Sequence, residues 1–461
     1  MTEHIDATGP SETRTPSDPA ARTAAAASGG AGQAGPPAPA APLLRLAVIG
    51  VGARASLVRH AVQSGRGQVV AVADPDPAGL ARARVMFGPG IAEYPDHRAL
   101  ITGRDDVQAA FVTSPDDTHG VVAVDLLRAG IPVYLEKPIA ITLADADAIL
   151  DAAASTGTPL YVGHNMRHMS VVRTMRAIIE RGEIGEVKAV WCRHFVGNGG
   201  DYYFKDWHAD RSRSTGLLLQ KGAHDIDVIH WLAGGYTRIV TGMGTLAVYG
   251  QISDRRGHSG QLMPEWFSLD HWPPLQQTGL NPVVDVEDLS MMLMSLDNGV
   301  LASYQQCHFT PDYWRNYTVI GTAGRLENFG DSAGGVVRVW NRRVVYRPEG
   351  DAEYPIAGDA AGHDDADERT VTEFLDFVTH GGPTVTSPIA SRQAVAAGIA
   401  ATESLRSGSV PIAVTPVDPA IAIGLEANSH PSGSTTPGSA ADIGRPGPHH
   451  PRSALKGEDD A

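Results

Sequence analysis

The chain has 461 residues, 42% of them apolar and 6% aromatic, with a formal net charge of −15. That length suits two or three domains with ordinary cores, and the negative charge argues against general binding to nucleic acid or to an anionic membrane. Cys192 and Cys307 sit in unrelated segments, so no disulfide framework is indicated and a cytoplasmic setting is expected. No run of about 18 apolar residues predicts a membrane span, and the N-terminal stretch lacks the apolar core of a secretory signal.

Residues 1–42 are rich in Ala, Pro, Gly, Ser and Thr without periodicity, and 413–461 resemble them; both are expected to be disordered tails. Order begins at Leu43. LLRLAVIG is an apolar strand, followed by GVGARA and a helical ASLVRHAVQSG. QVVAVAD, VQAAFVTSP, IPVYLEKP and PLYVGHN then read as strands. DPAGLARARVMF, HGVVAVDLLRAG and LADADAILDAAASTG read as the helices between them. This alternation predicts a parallel sheet with helices on both faces.

Beyond about residue 165 the texture changes. A helix, MSVVRTMRAIIERGEIG, leads into a strand, EVKAVWCRHFV, and a second helix, LLLQKGAHDIDVIHWLAGG. TRIVTGMGTLAVYG is a strand, and residues 251–285 form a long polar, Pro-rich loop of the kind that often carries function. DLSMMLMSL, GVLASYQQCHF, NYTVIGTAGRLEN, GGVVRVW and RRVVYRP follow as closely spaced, hence antiparallel, strands. ERTVTEFLDFVTHG and IASRQAVAAGIAATESLRSG are closing helices.

Chemistry concentrates at strand ends. Gly50-Val51-Gly52-Ala53-Arg54-Ala55 matches G-x-G-x-x-A between a strand and a helix. The first glycine makes the tight turn, the second lets a pyrophosphate approach the backbone, and Ala55 permits close helix–strand packing. Asp74, ending the second strand, is placed to accept a ribose hydroxyl, which favours NAD; the plainer reading is a turn cap, and Arg54 leaves NADP open. Ser114, Pro115 and His119 follow the next strand and face the same edge, with Asp116 a candidate helix cap. Glu136 and Lys137 end the IPVYLEKP strand, where Pro138 restricts the backbone and aims the lysine; a surface ion pair between the two is the alternative.

On the QKGAHDID segment, helical spacing puts His224 on one face with Gln220, Lys221 and Asp227, a proton-transfer group in which the carboxylate would set the histidine tautomer. Tyr203, Trp207 and His208 mix aromatic and polar groups in a manner suited to a sugar. Asn165 and Arg167 line the end of the PLYVGHN strand. His164 and His168 have metal-like spacing, but no carboxylate motif completes a site, so no metal is expected.

The order and spacing of AVIGVGARA, Asp74, TSPDDTH, LEKPIA, GHNMRH and GAHDIDVIHWLAGG make residues 43–412 resemble the Gfo/Idh/MocA oxidoreductases, the glucose–fructose oxidoreductase and inositol dehydrogenase group. The resemblance implies an α/β chain: a Rossmann dinucleotide-binding domain over 43–160, then a C-terminal α/β domain over 161–412 on a large, mostly antiparallel sheet. It also implies hydride transfer between NAD(P) and a small sugar or polyol, and a homo-oligomer. By position, Lys137 would lie near the nicotinamide and the reacting oxygen, and His224 would be the histidine of the family's D-x-x-x-H pair. Gln220 stands where that pair's aspartate belongs, so Asp227 or Lys221 is expected to take over part of its role. Two further readings remain: a glycosidase that uses a retained NAD for transient oxidation and elimination, and a cofactor-binding regulator without catalysis.

Overall fold

The structure is a computed structural model that describes residues 42–357 and 364–428. Its first sheet has six strands in the order β3-β2-β1-β4-β5-β6: β1 (Leu44–Ile49), β2 (Gly67–Ala73), β3 (Ala92–Tyr94), β4 (Ala109–Val112), β5 (Val133–Leu135) and β6 (Leu160–Val162). Every neighbouring pair is parallel. Both faces are covered by helices, which is why LRLAVI and AAFV read as near-continuous apolar runs rather than as alternating ones. The chain reverses its direction across the sheet between β1 and β4. A doubly wound sheet opens its ligand crevice at such a switch point.

The second sheet has nine strands, ordered β14-β13-β12-β11-β7-β10-β9-β8-β15. They are β7 (Val187–Val196), β8 (Thr237–Thr245), β9 (Leu289–Leu296), β10 (Leu301–Cys307), β11 (Tyr313–Gly321), β12 (Arg325–Phe329), β13 (Val336–Trp340), β14 (Ala352–Pro355) and β15 (Ile412–Ala413). All pairs are antiparallel except β7 with β10. Burial alternates along β9 and β10, so one face carries the core while Leu293 and Leu301 on the other stay exposed.

The first sheet also draws on the far end of the chain. Phe374, on the Asp364–His380 helix, packs on Phe111, Tyr134 and Tyr161 with ring centroids 5.1, 5.5 and 5.9 Å away. Val395, on the Pro388–Arg406 helix, enters the core beside β5 and β6. β6 spans residue 160 and belongs wholly to the first sheet.

Two expectations change. RRVVYRP is not a strand: Val344, Val345 and Tyr346 are exposed, and the Asp351 carboxylate accepts the N–H groups of Asn341 and Arg342, curling the backbone into a loop before β14. The expected C-terminal tail is structured at its start. Val414 is buried, and Pro419–Asn428 is a helix whose Ile421 and Leu425 pack on the first core. The rest of the two expected tails, 1–41 and 429–461, lies outside the described residues. Among the described residues, no helix is long and apolar enough to cross a membrane.

Candidate active site

The switch point is built as a cradle. Gly50 has φ +83°, and a Cβ there would lie 2.5 Å from Ser114 Cα, so only glycine lets β1 and β4 close this turn. Gly52 differs: a Cβ there would meet nothing within 4 Å. That opening, next to the start of the Ala53–Val58 helical turn, is the space a pyrophosphate needs, and the residues present fit a dinucleotide. Gly52→Val should therefore keep the melting temperature of the parent and weaken NADH binding by ~10-fold or more, read by fluorescence titration.

Asp74 braces this loop. Its carboxylate accepts the N–H of Val51 at 2.7 Å and of Asp76 at 2.8 Å, and Gly79 leaves the room for it. The turn-cap role is thus present at the position expected to face a ribose. Arg82, unnoticed in the sequence, donates to Val51 O at 2.9 Å and to Gly260 O at 3.1 Å, tying the 251–285 loop to the rim of the cradle.

Arg54 does not stand free for a phosphate. Its guanidinium donates to Glu136 Oε1 at 2.8 and 2.9 Å and to both oxygens of Asp367 at 2.8 and 3.0 Å. Two carboxylates outcompete any role in relaxing the cofactor preference. Glu136 is accordingly spent on Arg54 and on the Lys137 N–H, so the alternative reading, a surface pair between Glu136 and the Lys137 side chain, does not hold. His119 is fully buried, with Nδ1 2.8 Å from Pro138 O and Nε2 3.0 Å from Ser114 O. It joins the ends of β4 and β5 and has no ring nitrogen left for a cofactor. Ser114 and Pro115 remain at the β4 edge, Ser114 bonded through its hydroxyl to Thr118 at 2.6 Å.

Lys137 follows β5 through a cis bond to Pro138. Among the described residues its ammonium has no hydrogen bond or ion pair. Burial lowers its pKa; Asp116 opposes that shift, and the like charge of Lys221 adds to it. Asp116 opens the short turn after β4, the neighbour of β5, and is 6% exposed with Oδ2 unpartnered. Burial drives its pKa up, against the pull of Lys137 and the amide of Gln220. The residue in the family's aspartate position therefore faces a carboxylate supplied by another element.

Asp227 does not support His224. Arg167 clamps it with two bonds of 2.7 Å, and the remaining guanidinium nitrogen of Arg167 donates to Val385 O, also at 2.7 Å. Burial would raise the Asp227 pKa, but the Arg167 guanidinium and His164 hold it below the usual range. A bidentate charged pair wins over an i, i+3 neighbour on the same helix. Arg167 is thus committed to Asp227 and Val385, and Asn165 donates to Asp367 at 2.7 Å while its Oδ1 has no hydrogen-bond partner among the described residues. His224, at the start of the Gly222–Ala233 helix, stacks edge-on to His164 at 6.2 Å, and His164 in turn feels the charge of Lys137.

Lys221 lies over the rings of Tyr203 and Tyr313 at 5.7 and 5.8 Å. Burial, then Arg315, pushes its pKa down to about 7. Trp207 stacks on His208 at 3.8 Å, and His208 is held neutral by burial and by the nearby Lys137. Lys137, Lys221, Tyr203 and His208 act on one another, and His164 links His224 to Lys137, so these groups share one region of the molecule. Among the described residues there is no group of three or more His, Cys, Asp or Glu side chains able to hold a metal.

A model of an oxidoreductase family with an NAD-binding Rossmann fold matches residues 44–164, and the model of the Gfo/Idh/MocA C-terminal domain matches residues 172–327. The chain belongs to the Gfo/Idh/MocA oxidoreductases. The oxidoreductase YteT of Bacillus subtilis is 26% identical over 302 residues, 57% of this chain and 70% of that one. The inositol 2-dehydrogenase of Burkholderia multivorans is 34% identical over 194 residues, 41% of this chain and 55% of its own length. Levoglucosan dehydrogenase in complex with NADH and levoglucosan shares the fold, with a TM-score of 0.66 at 19% identity over 81% of this chain and all of that one. An oxidoreductase domain protein of Kribbella flavida gives a TM-score of 0.66 at 20% identity, covering 81% of this chain and 99% of that one.

Within this Gfo/Idh/MocA chain, Asp367, Arg82 and Arg315 escaped the sequence reading, and Asp116 reads there as a cap or a ligand contact without a proton-transfer role. Asp116 looked like a cap, and Asp367 and Arg315 lie far along the chain from the groups they touch. Only the strand-end position of Asp116 carried a signal.

Proposed function

We propose that the protein is an NAD-preferring dehydrogenase of a sugar- or polyol-like alcohol. The observation that carries this reading is Lys137: a buried cation with no hydrogen bond or ion pair among the described residues, at a strand end beside the Gly50–Gly52 cradle, attracted by a second titratable group, Asp116. The inositol and levoglucosan dehydrogenases among the relatives support the substrate class.

Gly50, Gly52, Ala53 and Asp74 would hold NAD, which when bound supplies a hydride acceptor for the carbinol carbon. Lys137 donates a hydrogen bond to the reacting oxygen and stabilises the charge that builds there. The hydroxyl proton passes to the Asp116–Lys137 pair, with His224 at the other wall of the cleft as a second acceptor. Asp116 acts through Lys137 and is a positioning residue. The exposed apolar face of the second sheet, including Leu293 and Leu301, suits the expected homo-oligomer.

Both members of the pair are driven toward about 8. Loss of their protons supplies the base, so alcohol oxidation should rise as pH passes through about 8, and the reverse reduction should fall. Asp116→Asn should remove or displace that inflection in kcat/KM; an unchanged profile contradicts the pairing. The function itself is tested by incubating the protein with NAD and a panel of sugars, polyols and their acids. NADH accumulation with at least one member supports it, and none with any member counts against it.

A further inference from the structure

The cleft holds more positive charge than an uncharged sugar needs. Lys221 is 8% exposed, and among the described residues it makes no hydrogen bond or ion pair; it lies over Tyr203 and Tyr313, with Asp225 and Asp331 attracting it from beyond ion-pair distance. Arg315 behind it is neutralised by Asp225, with Nε 2.7 Å from Oδ1. Lys137 is a second cation without an ion pair among the described residues, and Asp116, the carboxylate that attracts it, is driven by burial toward its neutral form. His308 is fully buried with both ring nitrogens without a hydrogen bond, and the Nδ1 of His208 has none either, its nearest carboxylate being Asp206 Oδ2 at 3.8 Å. Lys221 acts electrostatically on both of these histidines. Unsatisfied donors of this kind are costly when buried and are expected to find a ligand.

We infer that Lys221, with His308 and His208, forms a subsite for a substrate carboxylate, so that the substrate is a sugar acid or polyhydroxy acid. The carboxylate sits at Lys221 while the reacting hydroxyl sits at Lys137. This rests on the proposed dehydrogenase reading and refines its substrate class. A phosphate dianion fits less well: one lysine without an ion pair and neutral histidines face the subsite, and the guanidinium that would fork onto a phosphate is already taken by Asp225.

The test uses matched pairs that differ in the carboxylate: gluconate with glucitol, glucuronate with glucose, and galactonate with galactitol, together with glucose 6-phosphate. Binding to NADH-saturated protein is measured by calorimetry, and turnover by NADH formation with NAD. The acid of at least one pair should be preferred by ~10-fold or more, the range a charge-assisted hydrogen bond supports. Lys221→Met should bring that preference to within about threefold of unity, and Lys221→Arg should restore part of it. Equal binding within every pair, preference for the phosphate, or a preference that Lys221→Met leaves in place overturns the subsite. NADH formed from neutral sugars without any preference for acids sinks this inference and leaves the dehydrogenase standing. Binding preference for acids with no NADH from any compound does the reverse.

Discussion

Lys137→Ala should lower kcat by about 10²–10⁴-fold while leaving NADH affinity within about threefold of the parent. The size follows from what the side chain faces. Glu136 is held by Arg54, so the ammonium charge is not spent on its sequence neighbour. Burial and Lys221 make that charge costly, which is the condition under which a developing oxyanion gains most from it. The dinucleotide cradle is formed by other residues, so binding should survive. Steady-state kinetics and NADH fluorescence titration on the same preparation check this. Full turnover in the variant contradicts the role, and loss of NADH binding shows that Lys137 serves the cofactor instead.

Arg315→Met should destabilise the fold by about 3–5 kcal/mol, the range for removing one partner of a buried ion pair. Arg315 is 1% exposed and Asp225 is fully buried. Burial would raise the Asp225 pKa, but Arg315 and His194 hold it far below the usual range. His194 Nδ1 lies 3.0 Å from Asp225 Oδ2, and the Tyr317 hydroxyl donates to Oδ1 at 2.5 Å. Methionine would leave that carboxylate ionised with only neutral partners. Denaturant melts of the parent and the variant give the difference. Adding Asp225→Asn to the variant should recover part of the loss, because the orphaned charge goes with it. An unchanged melting curve for the single variant contradicts a stabilising network.

Much of the fold could be read in the chain because local pattern and final environment agree. The run LAVI within LRLAVI is apolar because β1 is covered on both faces there; LSMMLMSL alternates only in burial, its open face still carrying Met291 and Leu293. Gly50 and Lys137 were legible because a tight turn and a strand end followed by proline are local constraints. Asp227 was misassigned for the opposite reason. Spacing along one helix predicts which residues share a face, but Arg167, from a different element, decides the partner. Arg54 and Glu136 were likewise read separately, and their common partner network includes Asp367, far along the chain. Asp116 looked like a cap because its neighbours in space, Lys137 and Gln220, come from later segments. RRVVYRP has strand composition, and the pull of Asp351 on its backbone lies outside any alternation pattern.

The central claim is hydride transfer from a carbinol carbon, and an isotope tests it most directly. The protein is incubated with NAD and a substrate from the panel deuterated at the reacting carbon. The nicotinamide product is analysed by mass spectrometry while release of any leaving group is followed in parallel. Hydride transfer predicts one deuterium in each NADH formed and no leaving group. Release of a leaving group without net NADH, or NADH without the label, would contradict it.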